Sequence, residues 1–201
     1  MTTNTVTETD HHHHQAEEDK KDLFGFWIYI MSDCVVFATL FATFAVFRHN
    51  TFGHAGLKQL THLPYVLIET FLLLISSFTC GLAMLSTYKK KKGQVIGWLI
   101  LTFFLGLGFV LMEVNEFTHL ILAGHGPQSS GAMSAFFTLV GTHGFHVSMG
   151  LLWMLVLLAQ LGIYGVTPAL RRRLTYFALF WAFLDIVWIF VFTVVYLMGV
   201  M

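Results

Sequence analysis

The sequence predicts an all-α integral membrane protein built as a bundle of five transmembrane helices. Hydrophobic residues make up 56% of the chain, charged residues only 11%, and the mean hydropathy is +0.72. A soluble domain usually carries about 25% charged residues. Five apolar stretches are each long enough to cross a hydrocarbon core, which takes about 20 helical residues. Helices satisfy their own backbone hydrogen bonds in lipid, and no pattern of short alternating strands suggests a β-barrel.

The first 22 residues are polar and differ from the rest of the chain. They contain His11–His14 and a charged run over Glu17–Lys21. Such a segment cannot bury an apolar core, so we expect a disordered cytoplasmic tail over 1–22 and a single transmembrane domain over 23–201. The four histidines could bind a metal weakly or be a tag remnant, but a solvated tail is the simpler interpretation. No small-residue cleavage site follows the first apolar stretch, so no removable signal peptide is predicted.

The apolar stretches are separated by short loops that are rich in glycine, proline or basic residues. The predicted spans are 24–47, 64–87, 95–121, 133–161 and 174–198. Nine Lys and Arg residues fall on the side of the tail, the second loop and the fourth loop, and two fall on the other side. Basic loops stay in the cytoplasm, so the N-terminus is predicted to be cytoplasmic and the C-terminus periplasmic. The clusters Lys89–Lys92 and Arg171–Arg173 could also attract anionic lipid headgroups.

Other compositional features narrow the function. Basic and acidic residues are equal in number, 11 each, so net charge does not indicate a nucleic acid or another strongly charged partner. The two cysteines, Cys34 and Cys80, form no C-x-x-C motif and are expected to be buried small hydrophobic residues.

Ionisable side chains inside the spans are the candidate functional residues, because they are costly in lipid and usually face the protein interior. They are Asp33, Glu69, Glu113, Glu116, His119, His143, His146 and Asp185. A rise of about 1.5 Å per residue places Asp33, His146 and Asp185 near the membrane centre. The same estimate places Glu69 about 10 Å outward and the E-V-N-E motif, with Glu113 and Glu116, nearer the outer surface.

The ionisable side chains near the membrane centre form a central layer, and those nearer the outer surface form an outer layer. Each layer allows two interpretations. The central carboxyl groups could stay protonated, or pair with a histidine, in an interhelical hydrogen-bond seam or in a proton relay. In the outer layer, Glu113 and Glu116 could be half-solvated at the membrane surface. They could instead be buried against a partner or a neighbouring helix.

The stretch G-T-H-G-F-H-V-S-M-G (141–150) is the best candidate for a haem or metal site. His143 and His146 share one helix face, but two ligands on one helix cannot clamp opposite faces of a haem. His119 lies about 10 Å from the depth of His143, and buried carboxylates make poor copper or zinc sites. We therefore expect no haem-binding or metal-binding residue in this chain. The spacing of Gly144 and Ser148 predicts a face for close helix packing.

Five stretches resemble, in the same order, subunit III of haem-copper terminal oxidases. They are G-F-W-I-Y-I-M-S-D-C-V-V-F-A-T-L-F-A-T-F (25–44), L-P-Y-V-L-I-E-T (63–70), E-V-N-E-F (113–117), G-T-H-G-F-H-V (141–147) and D-I-V-W-I-F-V-F-T-V-V-Y-L-M-G (185–199). The five-helix length and the Y-L-M-G ending are more similar to the cytochrome bo-type ubiquinol oxidase branch than to the seven-helix cytochrome c oxidase branch.

The resemblance implies a subunit of a proton-pumping quinol oxidase in the bacterial inner membrane, without a catalytic site of its own. Subunit I of such a complex oxidises ubiquinol, reduces oxygen to water and holds the haems and copper. The implied partners of this chain are subunit I, subunit II, a small subunit IV and bound phospholipid. Its implied roles are to stabilise subunit I and to support proton uptake. The positions that match the family are Asp33, Glu113, Glu116, His143, His146 and Asp185.

One position departs from the family pattern. Relatives usually read W-H-F-x-D before the centre of the last helix, whereas this chain has Ala182 in place of the histidine. Asp185 therefore lacks its natural partner at i−3 and is expected to find another one or to stay protonated.

Two other functions remain as alternatives from the sequence. A proton-coupled transporter could use Asp33 and Asp185, although the chain shows no internal repeat of the kind that transporters often carry. A membrane cytochrome could use His143 or His146, which the depth estimate disfavours.

Overall fold

The structure is a computed structural model that describes residues 4–48, 63–89, 91–124 and 126–197, with side chains described for 21–48, 64–89, 91–124 and 126–196. Across these residues the regular secondary structure is helical, without strands. The helices are α1 (Asn4–Phe47), α2 (Leu63–Tyr88), α3 (Lys92–Leu122), α4 (Gly131–Tyr164) and α5 (Pro168–Val191), followed by π-helical turns over Phe192–Leu197. Each of the five contains a segment long and apolar enough to cross a membrane. The predicted all-α, five-helix membrane architecture is confirmed, while the orientation stays a prediction.

The chain divides into two units, Met1–Ala38 and Thr39–Met201. The first unit contains most of α1, which begins at Asn4 rather than near residue 24. The polar segment expected to lack regular structure is therefore helical from Asn4 onward. Its Q-A-E-E-D-K-K stretch contains good helix formers and leads directly into the apolar part of the helix, which spares it a separate nucleation step. The side chains of His11–His14 lie outside the described residues.

The later helices begin at capping residues that the hydropathy pattern did not reveal. Ser130 caps α4 by accepting a hydrogen bond from the backbone N–H of Met133 at 3.2 Å. Thr167 caps α5 in the same way, and Pro168 occupies the first turn, where its missing N–H costs nothing. Consequently α5 begins six residues before the predicted start at 174, with Arg171–Arg173 inside the helix rather than in the loop.

In the second unit, α2 packs on α3, α3 on α4, α4 on α5, and α5 also packs on α2. Short connections make consecutive helices antiparallel neighbours. Two buried indoles join α5 to α2: Trp181 donates to the Ser76 hydroxyl at 3.0 Å, and Trp188 donates to the Thr70 hydroxyl at 3.1 Å. A buried bond of 2.8 Å between Thr79 and Thr102 joins α2 to α3. These bonds satisfy polar groups that lipid would leave unpaired.

The cysteine prediction holds for only one residue. Cys80 is buried, as expected, whereas Cys34 is exposed. Hydropathy alone cannot tell which side of an apolar helix faces the interior, so the prediction for Cys34 was wrong.

Candidate functional site

Three glutamates from two helices come together in the second unit. Glu69 on α2 is completely buried, and Glu113 on α3 is 3% exposed. The carboxyl groups of Glu69 and Glu113 both interact electrostatically with Glu116, and Glu113 also interacts with Glu69. None of the carboxyl oxygens of Glu69 and Glu113 has a hydrogen-bond partner among the described residues. We call Glu69, Glu113 and Glu116 the carboxyl cluster.

The turn that follows α5 supplies a fourth group to this cluster. Tyr196 is completely buried, and its hydroxyl donates to a carboxyl oxygen of Glu116 at 3.2 Å. Its ring lies against Phe136 and Trp188, with centroids 5.8 and 6.4 Å away. π-helical turns often redirect a side chain at a functional position. Tyr196 was not predicted from the sequence, because a tyrosine near the end of an apolar span resembles an ordinary membrane-interface residue.

The stretch 141–150 is a packing face, as its small residues predict. A Cβ atom built on Gly144 would overlap the Glu113 carboxyl group, so α3 and α4 approach each other closely there. Gly150 lies six residues further along α4. A Cβ atom built on it would be 3.0 Å from the ring of Trp181. The close approach of Gly144 also shows that Glu113 is buried against a neighbouring helix rather than half-solvated. Glu116 is half-buried.

The two histidines of that stretch have different surroundings. His143 is completely buried, with ring centroids of Phe109 and Trp188 at 5.9 and 5.2 Å. His146 is half-buried, and its Nδ1 bonds the carbonyl oxygen of Thr142 one turn earlier at 2.8 Å. Because a carbonyl oxygen only accepts, this Nδ1 carries a proton. His119 is exposed in the last turn of α3.

Asp185 has a serine beside it. Ser77 on α2 lies close enough to donate to the Asp185 carboxyl group. Asp185 is 8% exposed, and its Oδ1 has no hydrogen-bond partner among the described residues. Ala182, one turn before Asp185 on α5, is itself exposed. The polar group beside Asp185 therefore comes from a neighbouring helix. Asp33 lies on α1 in the first unit, where it is hydrogen-bonded to Tyr29 one turn earlier.

No group of three or more His, Cys, Asp or Glu side chains among the described residues has the arrangement of a metal site. The carboxyl groups of the cluster can form hydrogen bonds and hold protons. The hydrogen bonds of Trp181 and Trp188 between α5 and α2 add further buried polar groups.

Sequence comparison identifies the family. The family model for cytochrome c oxidase subunit III matches residues 2–200. The chain is 60% identical over 177 residues to cytochrome bo(3) ubiquinol oxidase subunit 3 of Pseudomonas aeruginosa, covering 88% of this chain and 85% of the relative. It is 43% identical over 196 residues to the protein of the same name from Buchnera aphidicola, covering 98% and 96%. It is 45% identical over 185 residues to quinol oxidase subunit 3 of Bacillus subtilis, covering 92% and 91%.

A match over nearly the whole chain, together with five helices able to cross a membrane, assigns the protein to a group of non-catalytic subunits of oxidoreductase complexes. This multi-pass membrane chain belongs to the cytochrome c oxidase subunit III family of the haem-copper oxidases.

Proposed function

We propose that this chain is subunit III of a ubiquinol oxidase in the inner membrane of a bacterium. In this proposal, subunit I holds the haems and copper, oxidises ubiquinol, reduces oxygen to water and pumps protons. The chain contacts subunit I, assembles with subunit II and a small subunit IV, and binds phospholipid. The observation that carries the proposal is 60% identity, over 88% of the chain, to a relative named as a ubiquinol oxidase subunit.

The arrangement of polar groups supports an auxiliary role. The seam of Trp181, Ser76, Trp188 and Thr70 fixes α5 against α2 with buried hydrogen bonds. A rigid helical unit is suited to stabilising a larger neighbouring subunit. The carboxyl cluster and Asp33 are the groups through which the chain would support proton uptake, because buried carboxyl groups in membranes commonly belong to proton paths.

The direct test is affinity purification of the chain from membranes of cells that express the whole oxidase. We expect a mild-detergent preparation to contain larger partner chains, to show a haem absorbance spectrum and to oxidise ubiquinol with consumption of oxygen. The same chain expressed without its partners should show no haem absorbance.

Three results would contradict the proposal in whole or in part. A haem spectrum from the isolated chain would place a cofactor in this subunit. A chain that migrates alone on a native gel, with no larger haem-containing band from cells making the oxidase, would favour a free-standing membrane protein. Menaquinol oxidation without ubiquinol oxidation would leave the subunit assignment intact and overturn the proposed electron donor.

A further inference from the structure

The carboxyl cluster lies near one end of the helices that carry it. Glu69 is six residues from the start of α2 at Leu63, and Glu116 is six residues from the end of α3 at Leu122. The Lys89–Lys92 segment joins the opposite ends of these two helices, about 30 Å from Glu69 at a rise of about 1.5 Å per residue. On the orientation predicted from the basic loops, the cluster therefore lies toward the outer side of the membrane.

The helix segments around the cluster contain no lysine or arginine. Residues 63–88, 93–170 and 174–197 include neither amino acid. The other titratable groups on these elements in this half of the helices are Tyr65 on α2, His119 on α3, His143 and His146 on α4, and Tyr196 after α5. Three neighbouring carboxylates in an apolar interior would repel one another and lose their hydration. The cluster is therefore expected to hold protons rather than three negative charges.

Glu69 and Glu113 indicate which ligand the cluster takes. Glu69 is completely buried, Glu113 is 3% exposed, and their four carboxyl oxygens have no hydrogen-bond partner among the described residues. A buried carboxylate without a donor is costly, whereas a protonated carboxyl group carries a donor of its own. On the side of Glu113 that faces Gly144 there is no room for even a methyl group. A proton fits these requirements, and a larger cation does not.

Glu116 connects the two buried glutamates to water. It interacts electrostatically with both of them and is itself half-buried. His119, one turn later on α3, is exposed. The Tyr196 hydroxyl donates to the Glu116 carboxyl group at 3.2 Å and so fixes its direction. Among the three carboxyl groups, that of Glu116 is thus the one placed between the buried pair and the aqueous phase.

We propose that the carboxyl cluster is a proton-exchange site at the outer end of the helices, in which Glu69 and Glu113 hold protons and Glu116 passes them to and from water. In the outward transfer, an O–H bond of Glu69 or Glu113 breaks and one forms on the ionised Glu116 carboxylate. Glu116 then gives this proton to water, and the reverse steps reload the buried pair. The inference rests on the proposed support of proton uptake and narrows it, because it assigns the cluster to the aqueous phase on one side.

The test follows the replacement of the buried protons by deuterium in the particle purified through a tag on this chain, whether or not that particle contains haem. Infrared spectra at neutral pH should contain carboxylic-acid C=O stretching bands that disappear in Glu69→Gln and in Glu113→Gln. In the parent, these bands should shift soon after transfer into D2O. Glu116→Gln keeps an oxygen that accepts from Tyr196 but cannot carry a proton. It should slow the shift about a hundredfold, as expected when a positioned proton-transfer group is lost.

Two further variants are the controls. Glu116→Asp keeps a carboxyl group and should restore most of the exchange rate. Asp185→Asn removes a buried carboxyl group outside the cluster and should change neither the bands of Glu69 and Glu113 nor their rate of exchange.

Either of two results would overturn the site. In one, Glu69→Gln and Glu113→Gln remove no carboxylic-acid band, which would mean that both groups are ionised. In the other, Glu116→Gln exchanges as fast as the parent. The first measurement does not depend on the assembly of any Glu116 variant. Loss of haem from the parent preparation would instead count against the proposed oxidase function, and not against the exchange site.

Discussion

Gly144 on α4 lies directly against the carboxyl group of Glu113 on α3, with no room for even a methyl group between them. Glu113 is 3% exposed, and neither of its oxygens has a hydrogen-bond partner among the described residues. A carboxyl group is thus packed between helices as tightly as an apolar core residue. This contact links the packing face of α4 to the carboxyl cluster, because any change at Gly144 must displace Glu113.

Substitution of Gly144 tests this contact directly. Gly144→Ala should destabilise the assembled chain by about 1–3 kcal/mol, because the added methyl group overfills a closed interface. Gly97→Ala is the control, since a Cβ there meets nothing within 4 Å. In a helix interior, that change should be neutral or stabilise by up to about 1 kcal/mol. Thermal inactivation of the purified complex measures both variants. Equal midpoints for the two would show that α3 and α4 are less closely packed than described.

Substitutions in the carboxyl cluster should change the stability of the complex in opposite directions at different positions. Glu69→Met and Glu113→Met remove buried oxygens without partners and keep a similar shape, so they should leave stability unchanged or raise it. Glu116→Met should lower stability by about 1–3 kcal/mol, because it leaves the buried Tyr196 hydroxyl without its acceptor. Thermal midpoints of the three variants provide the comparison. A marked loss of stability at Glu69 or Glu113 would mean that these oxygens are bonded in the complex.

The indole of Trp181 is the centre of the packing between α5 and α2. Trp181→Phe should destabilise the chain through the lost bond to Ser76 and the space left beside Gly106 and Gly150. Ser76→Ala should cost less, because it removes only the hydroxyl. A double-mutant cycle should yield a coupling of about 0.5–1.5 kcal/mol, the usual value of one buried hydrogen bond. Additive effects of the two substitutions would argue against this bond.

The five helices could be predicted from hydropathy because length and apolar composition are properties of the chain itself. Helix ends were predicted less well. The N-cap Thr167 and Pro168 form a local signal that precedes three arginines, and those charges hid the start of α5. The helical segment from Asn4 was missed because a polar composition does not prevent a helix that continues into an apolar span.

The site could be predicted only as a list of polar residues. Depth along each span does not give the direction in which a side chain points, so the sequence could not show that Glu69 on α2 meets Glu113 and Glu116 on α3. Ser77 and Tyr196 were missed for the same reason, since serine and tyrosine are common in such spans. The small residues around Gly144 did predict a packing face, because closeness of helices depends on side-chain size.

Asp33 provides a test of the proposed support of proton uptake. Asp33→Asn keeps the shape of the side chain and removes its ability to exchange a proton. We expect an oxidase that assembles normally but takes up protons more slowly or loses activity sooner during turnover. Asp185→Asn is a useful comparison, because its partner Ser77 can still donate to the amide oxygen. Steady-state oxygen consumption followed until inactivation measures both effects. Parent-like turnover and lifetime in Asp33→Asn would remove this role.

The bond between Ser77 and Asp185 predicts how the chain tolerates Ala182. Ser77→Ala should destabilise the complex by about 1–3 kcal/mol, because it removes a hydroxyl group that can donate to a carboxyl group that is only 8% exposed. Adding Ala182→His places an imidazole at i−3, on the same side of α5 as Asp185, and should recover part of that loss. Ala182→His alone should change little, since Ser77 already serves the carboxyl group. The thermal midpoints of the two single variants and the double variant test whether the histidine recovers the lost stability. If the double variant is no more stable than Ser77→Ala, then a histidine at position 182 does not reach Asp185, and the serine is not a substitute for it.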